Sequence, residues 1–140
     1  MQTFVITLID IPESVAASNQ AIKSALKFGL EAQVFHAITR NSAQSTLKIE
    51  GLESRTKSND HGDYLAVMGC FMSHFQLWKK CVELGEPIII MEHDAIVYSK
   101  VPIELLTGSQ MANIGKPSFG RKNKTKLNLI NLIKNRVFKK

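Results

Sequence analysis

An acidic triplet, Glu92-His93-Asp94, directly follows an apolar run at residues 88–91. Four large apolar residues without alternation predict a strand buried on both faces, as in parallel sheets under helices. Side chains two apart in an extended segment share a face, so both carboxylates are expected to meet at the strand's carboxyl end. Such a pair suits Mg²⁺ or Mn²⁺, which commonly bind one or two carboxylates plus substrate phosphates. The triplet predicts a metal–nucleotide site held by Asp94 and Glu92; the alternative is two acids that merely face solvent.

A second group of reactive residues precedes the triplet on a segment with helical periodicity. One stripe at spacings of three and four contains Val67, Cys70, His74, Trp78 and Cys81. The pattern, widened by further apolar neighbours, predicts a largely buried helix. Cys70 and His74 are four apart and could share a zinc ion, but two further ligands at a recognised spacing are missing. Structural packing is therefore the favoured role.

The order of these motifs resembles a known family. Residues 68–80 contain Gly-Cys-x-x-Ser-His-x-x-x-Trp, and an apolar strand ending in the acidic triplet follows. Together with segments 4–8 and 34–38, this ordered combination resembles glycosyltransferase family 25, the lipopolysaccharide-biosynthesis glycosyltransferases that also include the collagen galactosyltransferases. Any one piece alone would be a weak signal. The resemblance covers residues 1 to about 100.

The resemblance implies a GT-A type fold and a specific reaction. A hexose, galactose from UDP-galactose, would be transferred to a hydroxyl of a glycan or lipid-linked glycan acceptor, with Asp94 and Glu92 holding the metal. It also implies donor-binding residues, which are Thr7, Leu8, Asp10, Ser73, His74 and Glu92. His74 keeps a second interpretation, a core histidine bonded to a backbone carbonyl. No single residue is assigned as the catalytic base, for which Asp10 and Glu104 are the candidates.

Several features depart from the family pattern. His93 replaces a middle acid, residues 66–68 lack a Gly-Glu pair, and segment 10–15 lacks the Arg that usually follows the first strand. At 140 residues the chain is also shorter than the family's catalytic domains, and we recognise no second acidic or aromatic cluster after Lys100. We therefore expect a fragment, a minimal form or a relic. The alternative function is a non-catalytic sugar-nucleotide-binding or interaction module without the acceptor half.

The coarse order of elements is strand, helix, strand, loop, helix, strand, which predicts an α/β fold with a mostly parallel sheet flanked by helices. We expect strands at Thr3–Ile9 and Ala32–Ile38, and between them a helix from about Ser14 to Phe28 that Gly29 ends. Nucleotides bind beyond the carboxyl ends of such strands, so the loop from Thr7 to Asp10 is expected to flank the same crevice as the triplet.

Residues 40–63 are rich in Ser, Thr, Asn and Lys with little periodicity. This composition predicts a long loop or a mobile flap. At its end, Asp60 or Asp63 is expected to cap the helix that follows, in preference to a donor-loop role for His61 and Asp63.

Composition predicts a globular chain, since 44% of residues are hydrophobic and only 21% are charged. The longest apolar runs fall short of the roughly 20 residues that a membrane span requires, and strand-like sequence stands in place of a signal peptide. We therefore expect a cytoplasmic protein. Cys70 and Cys81 would lie about 16 Å apart along one helix, too far to pair, which fits reduced thiols.

Charge divides the chain into a body and a tail. Residues 1–115 hold nine basic and all twelve acidic side chains, whereas residues 116–140 hold nine basic side chains and no acid. We predict a nucleotide-sugar-binding α/β domain over 1–115 and a basic loop with an amphipathic C-terminal helix over 116–140. Residues 121–140 could pack on the domain as a lid or contact an anionic membrane surface. Nucleic acid is disfavoured because only Phe119 and Phe138 interleave the basic residues.

Overall fold

The computed structural model of the chain describes residues 1–53, 63–106 and 111–115. The chain divides into a unit at Met1–Lys100 and a second unit from Val101 onward. The first unit contains β1 (Gln2–Thr7), α1 (Pro12–Leu26), β2 (Ala32–His36), α2 (Arg40–Ile49), α3 (Tyr64–Leu84) and β3 (Ile88–Glu92). In the second unit, the described residues contain a short 3₁₀ helix at Ile103–Leu106. The predicted basic C-terminal helix lies outside the described residues.

The three strands form a parallel sheet in the order β2-β1-β3. The central strand β1 is almost entirely inaccessible to solvent, with Phe4, Val5 and Ile6 exposed by 2%, 0% and 5%. The edge strand β3 is buried at Ile89 and Met91 and half-buried on its other face. The α/β class with parallel crossovers is therefore confirmed. Burial on both faces was predicted for β3, but it is more complete in β1.

Helix α1 begins earlier than predicted and ends at Leu26, two residues before the predicted Phe28. It starts at Pro12, whose fixed φ suits the first helical turn. Ser14 is therefore inside the helix, and its hydroxyl accepts a hydrogen bond from the Leu8 backbone N–H at 3.0 Å. At the other end Gly29 has φ +80°, which lets the Leu30 N–H bond back to the Ala25 carbonyl at 3.1 Å. The glycine stop is thus confirmed, and Ser14 ties the end of β1 to α1.

The prediction of a loop at residues 40–63 is wrong in its first half, where the chain forms helix α2. The Thr39 backbone N–H donates to the Ser42 hydroxyl at 3.2 Å and closes the first turn. Ala43 is fully buried and packs with Met68 and Met72 of α3. Burial of this narrow apolar face outweighs the weak helix preference of the Ser- and Thr-rich sequence. The remainder of the proposed flap, at 54–62, lies outside the described residues.

Helix α3 has the predicted cap but buries a different face. The Asp63 carboxylate accepts a hydrogen bond from the Ala66 N–H at 3.3 Å, which confirms the cap. The prediction of a largely buried helix along the Val67 stripe is wrong, since Val67 is 61% exposed and Trp78 is 40% exposed. The buried face instead consists of Met68, Gly69, Met72, Ser73 and Leu77. It is buried because it meets α2 at one end and the sheet at the other.

Within the described residues, no helix has the length and hydrophobicity needed to span a bilayer.

Candidate functional site

A cleft of about 630 Å³ lies at the carboxyl ends of the strands. Both sequence segments that we expected to flank a nucleotide crevice border it, because β1 has β2 on one side and β3 on the other. Its walls come from the end of β1 and the loop that follows it, the segment from β2 into α2, α3 with its cap, and the end of β3. The lining residues are Ile6, Leu8, Asp10, Ile11, residues 37–41, Asp63, Ala66, Cys70, Ser73, Glu92 and His93. The cleft thus lies at the edge of the sheet where a crevice was expected.

A shallower depression of about 370 Å³ lies on the outer face of α3, where Phe75, Trp78 and Val82 supply apolar walls. It shares no lining residue with the cleft. Its surface is almost wholly apolar, so it offers few groups that could orient a nucleotide. The cleft is the stronger candidate site.

The residues predicted after β1 divide between structural and accessible positions. Leu8 and Asp10 line the cleft. Thr7 is 1% exposed, its hydroxyl donates to the Val5 carbonyl at 3.1 Å, and its own carbonyl accepts from the Ala37 N–H at 2.9 Å. Thr7 therefore holds the ends of β1 and β2 together beneath the cleft.

Ser73 joins α3 to the segment after β2. It is 1% exposed, its hydroxyl donates to the Gly69 carbonyl at 2.8 Å, and it accepts from the Ile38 backbone N–H at 2.8 Å. The first bond satisfies the buried hydroxyl itself, and the second gives the Ile38 N–H a partner. Ser73 thereby fixes one wall of the cleft.

Gly69 allows α3 to approach that wall closely. A Cβ at this position would lie 2.6 Å from the Ile38 carbonyl oxygen, a distance that requires the backbone to shift. Sequence reasoning used Gly69 only as part of the family motif. The spacing Gly-x-x-x-Ser puts both residues on one helix face, which was the available signal for a close contact.

His74 lies between Cys70 and Glu92. Its Nε2 is 3.4 Å from Glu92 Oε1, and its Nδ1 is 3.0 Å from the Cys70 carbonyl oxygen. A carbonyl oxygen only accepts hydrogen bonds, so Nδ1 carries hydrogen and donates. The bond to a backbone carbonyl agrees with one part of the core-histidine alternative, but the side chain is 29% exposed and is not in the core. Donor binding by His74 stays a prediction.

The same three side chains form a compact group of metal-ligating atoms. One ligand atom each from Cys70, His74 and Glu92 lies within 4.8 Å of the others. Partial burial, and to a lesser degree the negative charge of Glu92, raise the pKa of the Cys70 thiol. That charge also favours a cation beside the thiol.

The two outer acids of the triplet do not share one extended face. Glu92 ends β3, and the chain then turns, with the Ala95 N–H donating to the Glu92 carbonyl at 3.0 Å. The premise of an extended segment from 92 to 94 is therefore wrong, because the turn interrupts the alternation of side chains. Glu92 and His93 line the cleft, whereas Asp94 is exposed and is not among its lining residues.

Sequence reasoning missed a cation at the cleft. Arg40 and Asp63 both line it, and Arg40 Nη1 lies 2.9 Å from Asp63 Oδ2. Arg40 was assigned to a loop, so its place in the first turn of α2 was not anticipated. The helix-opening pattern of Thr39 followed three residues later by Ser42 was the available signal.

The two acids considered as a catalytic base occupy different units. Asp10 lines the cleft in the first unit. Glu104 lies in the 3₁₀ helix of the second unit. Asp10 therefore stays a candidate base at the cleft, and a role for Glu104 stays a prediction.

The comparisons with known proteins agree with the sequence motifs. A family model described as glycosyltransferase family 25, LPS biosynthesis protein, matches residues 1–137. The match extends well beyond residue 100, where the recognised motifs end. Comparisons with curated proteins and with solved structures return no significant match. The α/β fold, with its small parallel sheet flanked by helices, is consistent with a Rossmann-like GT-A domain. The chain belongs to glycosyltransferase family 25.

Proposed function

We propose that this chain transfers a hexose, galactose from UDP-galactose, to a hydroxyl of a lipopolysaccharide-type glycan acceptor, with a divalent ion assisting. The observation that carries the proposal is the cleft at the carboxyl edge of the parallel sheet, bordered by the Arg40 guanidinium and the Glu92 carboxylate. Nucleotides bind at this edge in open α/β sheets. The family match supports the reaction class.

Arg40 is proposed to bind the diphosphate of the donor. Its side chain is 59% exposed. A guanidinium has five N–H donors, so the contact with Asp63 leaves others for phosphate oxygens. Arg40 would thereby take the place of the Arg that the family usually carries after the first strand, although it comes from α2.

Glu92 and Asp94 are proposed as the protein ligands of Mn²⁺ or Mg²⁺. Such ions often need only one or two carboxylates because substrate phosphates complete their coordination, and the Glu92 carboxylate at the cleft meets that need. Asp94 follows on the adjoining turn as the second proposed ligand. A bound ion would supply positive charge to the leaving diphosphate.

The remaining cleft residues are assigned by their chemistry. Leu8 and Ile38 give apolar walls for the nucleoside, and Asp10 offers acceptors for hydroxyl groups of the donor or acceptor. Thr7 and Ser73, proposed from the resemblance as donor-binding residues, are buried and hydrogen-bonded. Their proposed contribution is to hold the cleft walls at a fixed separation.

A sugar-nucleotide-binding module without catalysis is the second candidate. The position of Asp94 on an exposed turn, outside the lining of the cleft, favours it. A protein of this kind would bind UDP through Arg40 and Glu92 and would release no UDP from UDP-galactose. A cytoplasmic site of action, with residues 121–140 touching an anionic membrane, remains a prediction for either candidate.

The experiment that separates the candidates measures UDP release from UDP-galactose with Mn²⁺ and a lipopolysaccharide-type acceptor. Wild-type protein is compared with Asp94→Ala and Glu92→Gln, and Glu83→Gln on the outer face of α3 serves as the matched carboxylate control. Transfer predicts release by wild type and Glu83→Gln that falls at least about tenfold in the other two variants. Equal release by wild type and Asp94→Ala would reject the catalytic proposal. UDP binding without release would establish the module.

A further inference from the structure

We propose that Cys70, His74 and Glu92 form a binding site for Zn²⁺ at the edge of the cleft. Thiolate, imidazole and carboxylate are the three ligand types that Zn²⁺ accepts in proteins. Three protein ligands leave a fourth position for water or for a small ligand in the cleft, which Cys70 and Glu92 both line. The inference goes beyond sugar transfer and does not depend on it.

The distances suit a tetrahedral ion. Bond lengths of about 2.0–2.3 Å hold the ligand atoms of tetrahedral zinc about 3.3–3.6 Å apart. His74 Nε2 and Glu92 Oε1 are already 3.4 Å apart, and the whole group fits within 4.8 Å. Cys70 is exposed and Glu92 is 46% exposed, so small rotations of both side chains can close the remaining gap.

The imidazole of His74 is held in the orientation of a metal ligand. Its Nδ1–H donates to the Cys70 carbonyl, which leaves Nε2 as the atom that faces Glu92. Zinc-bound histidines almost always donate their other N–H to a carbonyl, a carboxylate or water in this way. A His74–Glu92 ion pair without a metal is the competing explanation for the 3.4 Å contact between Nε2 and Glu92 Oε1.

The third ligand explains why spacing did not reveal the site. Cys70 and His74 are adjacent on α3, whereas Glu92 comes from the end of β3. The sulfur and nitrogen ligands favour Zn²⁺ over Mg²⁺ or Mn²⁺, which prefer oxygen. Glu92 would be shared with the proposed donor-metal site, so zinc at Cys70 and a Glu92-bound Mn²⁺ would exclude each other.

Cobalt provides a direct test, because Co²⁺ in a thiolate-containing tetrahedral site gives a sulfur-to-cobalt charge-transfer band. The nucleotide-free, reduced full chain would be titrated with Co²⁺, and Zn²⁺ would then be added to displace it. The variants are Cys70→Ser, His74→Ala and Glu92→Gln, with Cys81→Ser and His36→Ala as matched controls. Circular dichroism would verify that each variant is folded.

We expect one Co²⁺ per chain, with a sulfur band that Zn²⁺ abolishes. Cys70→Ser should remove the band, and each of the three ligand substitutions should weaken Zn²⁺ binding at least about tenfold. Both controls should behave as wild type. The proposal is overturned if wild type shows no sulfur band, if the Cys81→Ser control removes it, or if Cys70→Ser and His74→Ala bind Zn²⁺ as wild type does. Because the readout needs no nucleotide, failure to release UDP would leave this result unaffected.

Discussion

The Ser73 hydroxyl accepts a hydrogen bond from the Ile38 backbone N–H at 2.8 Å across the wall of the cleft. This contact connects the middle of α3 to the segment that leads from β2 to α2. It places Cys70, one helical turn before His74, beside the mouth of the cleft. The geometry of the candidate site therefore depends on a buried hydroxyl that need not touch a substrate.

Replacing Ser73 with Ala should destabilise the protein. The Ile38 N–H would lose its partner in a partly buried environment, at a cost of about 1–3 kcal/mol in the free energy of unfolding. Urea denaturation would measure the change. Ser45→Ala, which removes an exposed hydroxyl on α2, should alter the free energy by less than about 0.5 kcal/mol. Equal stability of the two variants would contradict the structural role of Ser73.

Gly69→Ala should also destabilise, against the usual preference of helices for alanine. In an ordinary helix interior this change stabilises by about 1 kcal/mol. Here the new methyl carbon would meet the Ile38 carbonyl oxygen at 2.6 Å, so α3 must move, at a cost of about 1–3 kcal/mol. Thermal and urea unfolding would determine the sign. A variant as stable as wild type would show that α3 can move away from the Ile38 carbonyl without lowering the free energy of unfolding.

Arg40→Ala should weaken UDP binding about tenfold, which corresponds to about 1.4 kcal/mol. The expected cause is loss of charged N–H donors to the diphosphate. Isothermal titration calorimetry with UDP would measure it, and Lys48→Ala at the far end of α2 is the matched basic control. Unchanged affinity in Arg40→Ala would exclude Arg40 from the donor site.

Asp63→Asn separates the two roles of Asp63. Asn caps helices about as well as Asp, so α3 should keep its cap while the ion pair with Arg40 is lost. Stability should change by no more than about 1 kcal/mol, as is usual for exposed pairs. UDP affinity should rise if the pair restrains Arg40, and calorimetry would show this. A large loss of helical signal would contradict the assignment.

Glu50 should make stability depend on pH in the acid range. Hydrogen bonds from Lys79 and Gln76 lower the pKa of Glu50 below 4.5. A lowered folded-state pKa contributes stability above the unfolded value, and this contribution is lost as pH falls through the folded value. Wild type should therefore exceed Glu50→Gln in stability at neutral pH, and the difference should shrink as pH falls below 4.5.

Urea midpoints across that range would measure the Glu50 effect. The stability of Lys79→Met should depend less on pH than that of wild type, as for Glu50→Gln, because the substitution removes a hydrogen-bond partner of the Glu50 carboxylate. A difference between wild type and Glu50→Gln that stays constant with pH would contradict the assignment.

Local sequence determined the parts of the fold whose causes lie within a few residues. The apolar run at residues 3–9 predicted the first strand, Gly29 predicted the end of α1, and Asp63 predicted the cap of α3. Each of these rests on backbone conformation or on a nearest-neighbour hydrogen bond, so adjacent residues were sufficient. The ordered motifs also identified the family.

Tertiary structure alone decided which faces are buried and which reactive groups meet. The Ser- and Thr-rich segment became α2 because Ala43 could pack on α3, and the same contact turned Val67 outward. A turn after β3 separated Asp94 from the face of Glu92, and α3 brought Cys70 and His74 to Glu92 instead. Such outcomes depend on partners far away in the chain, and no local spacing encodes them.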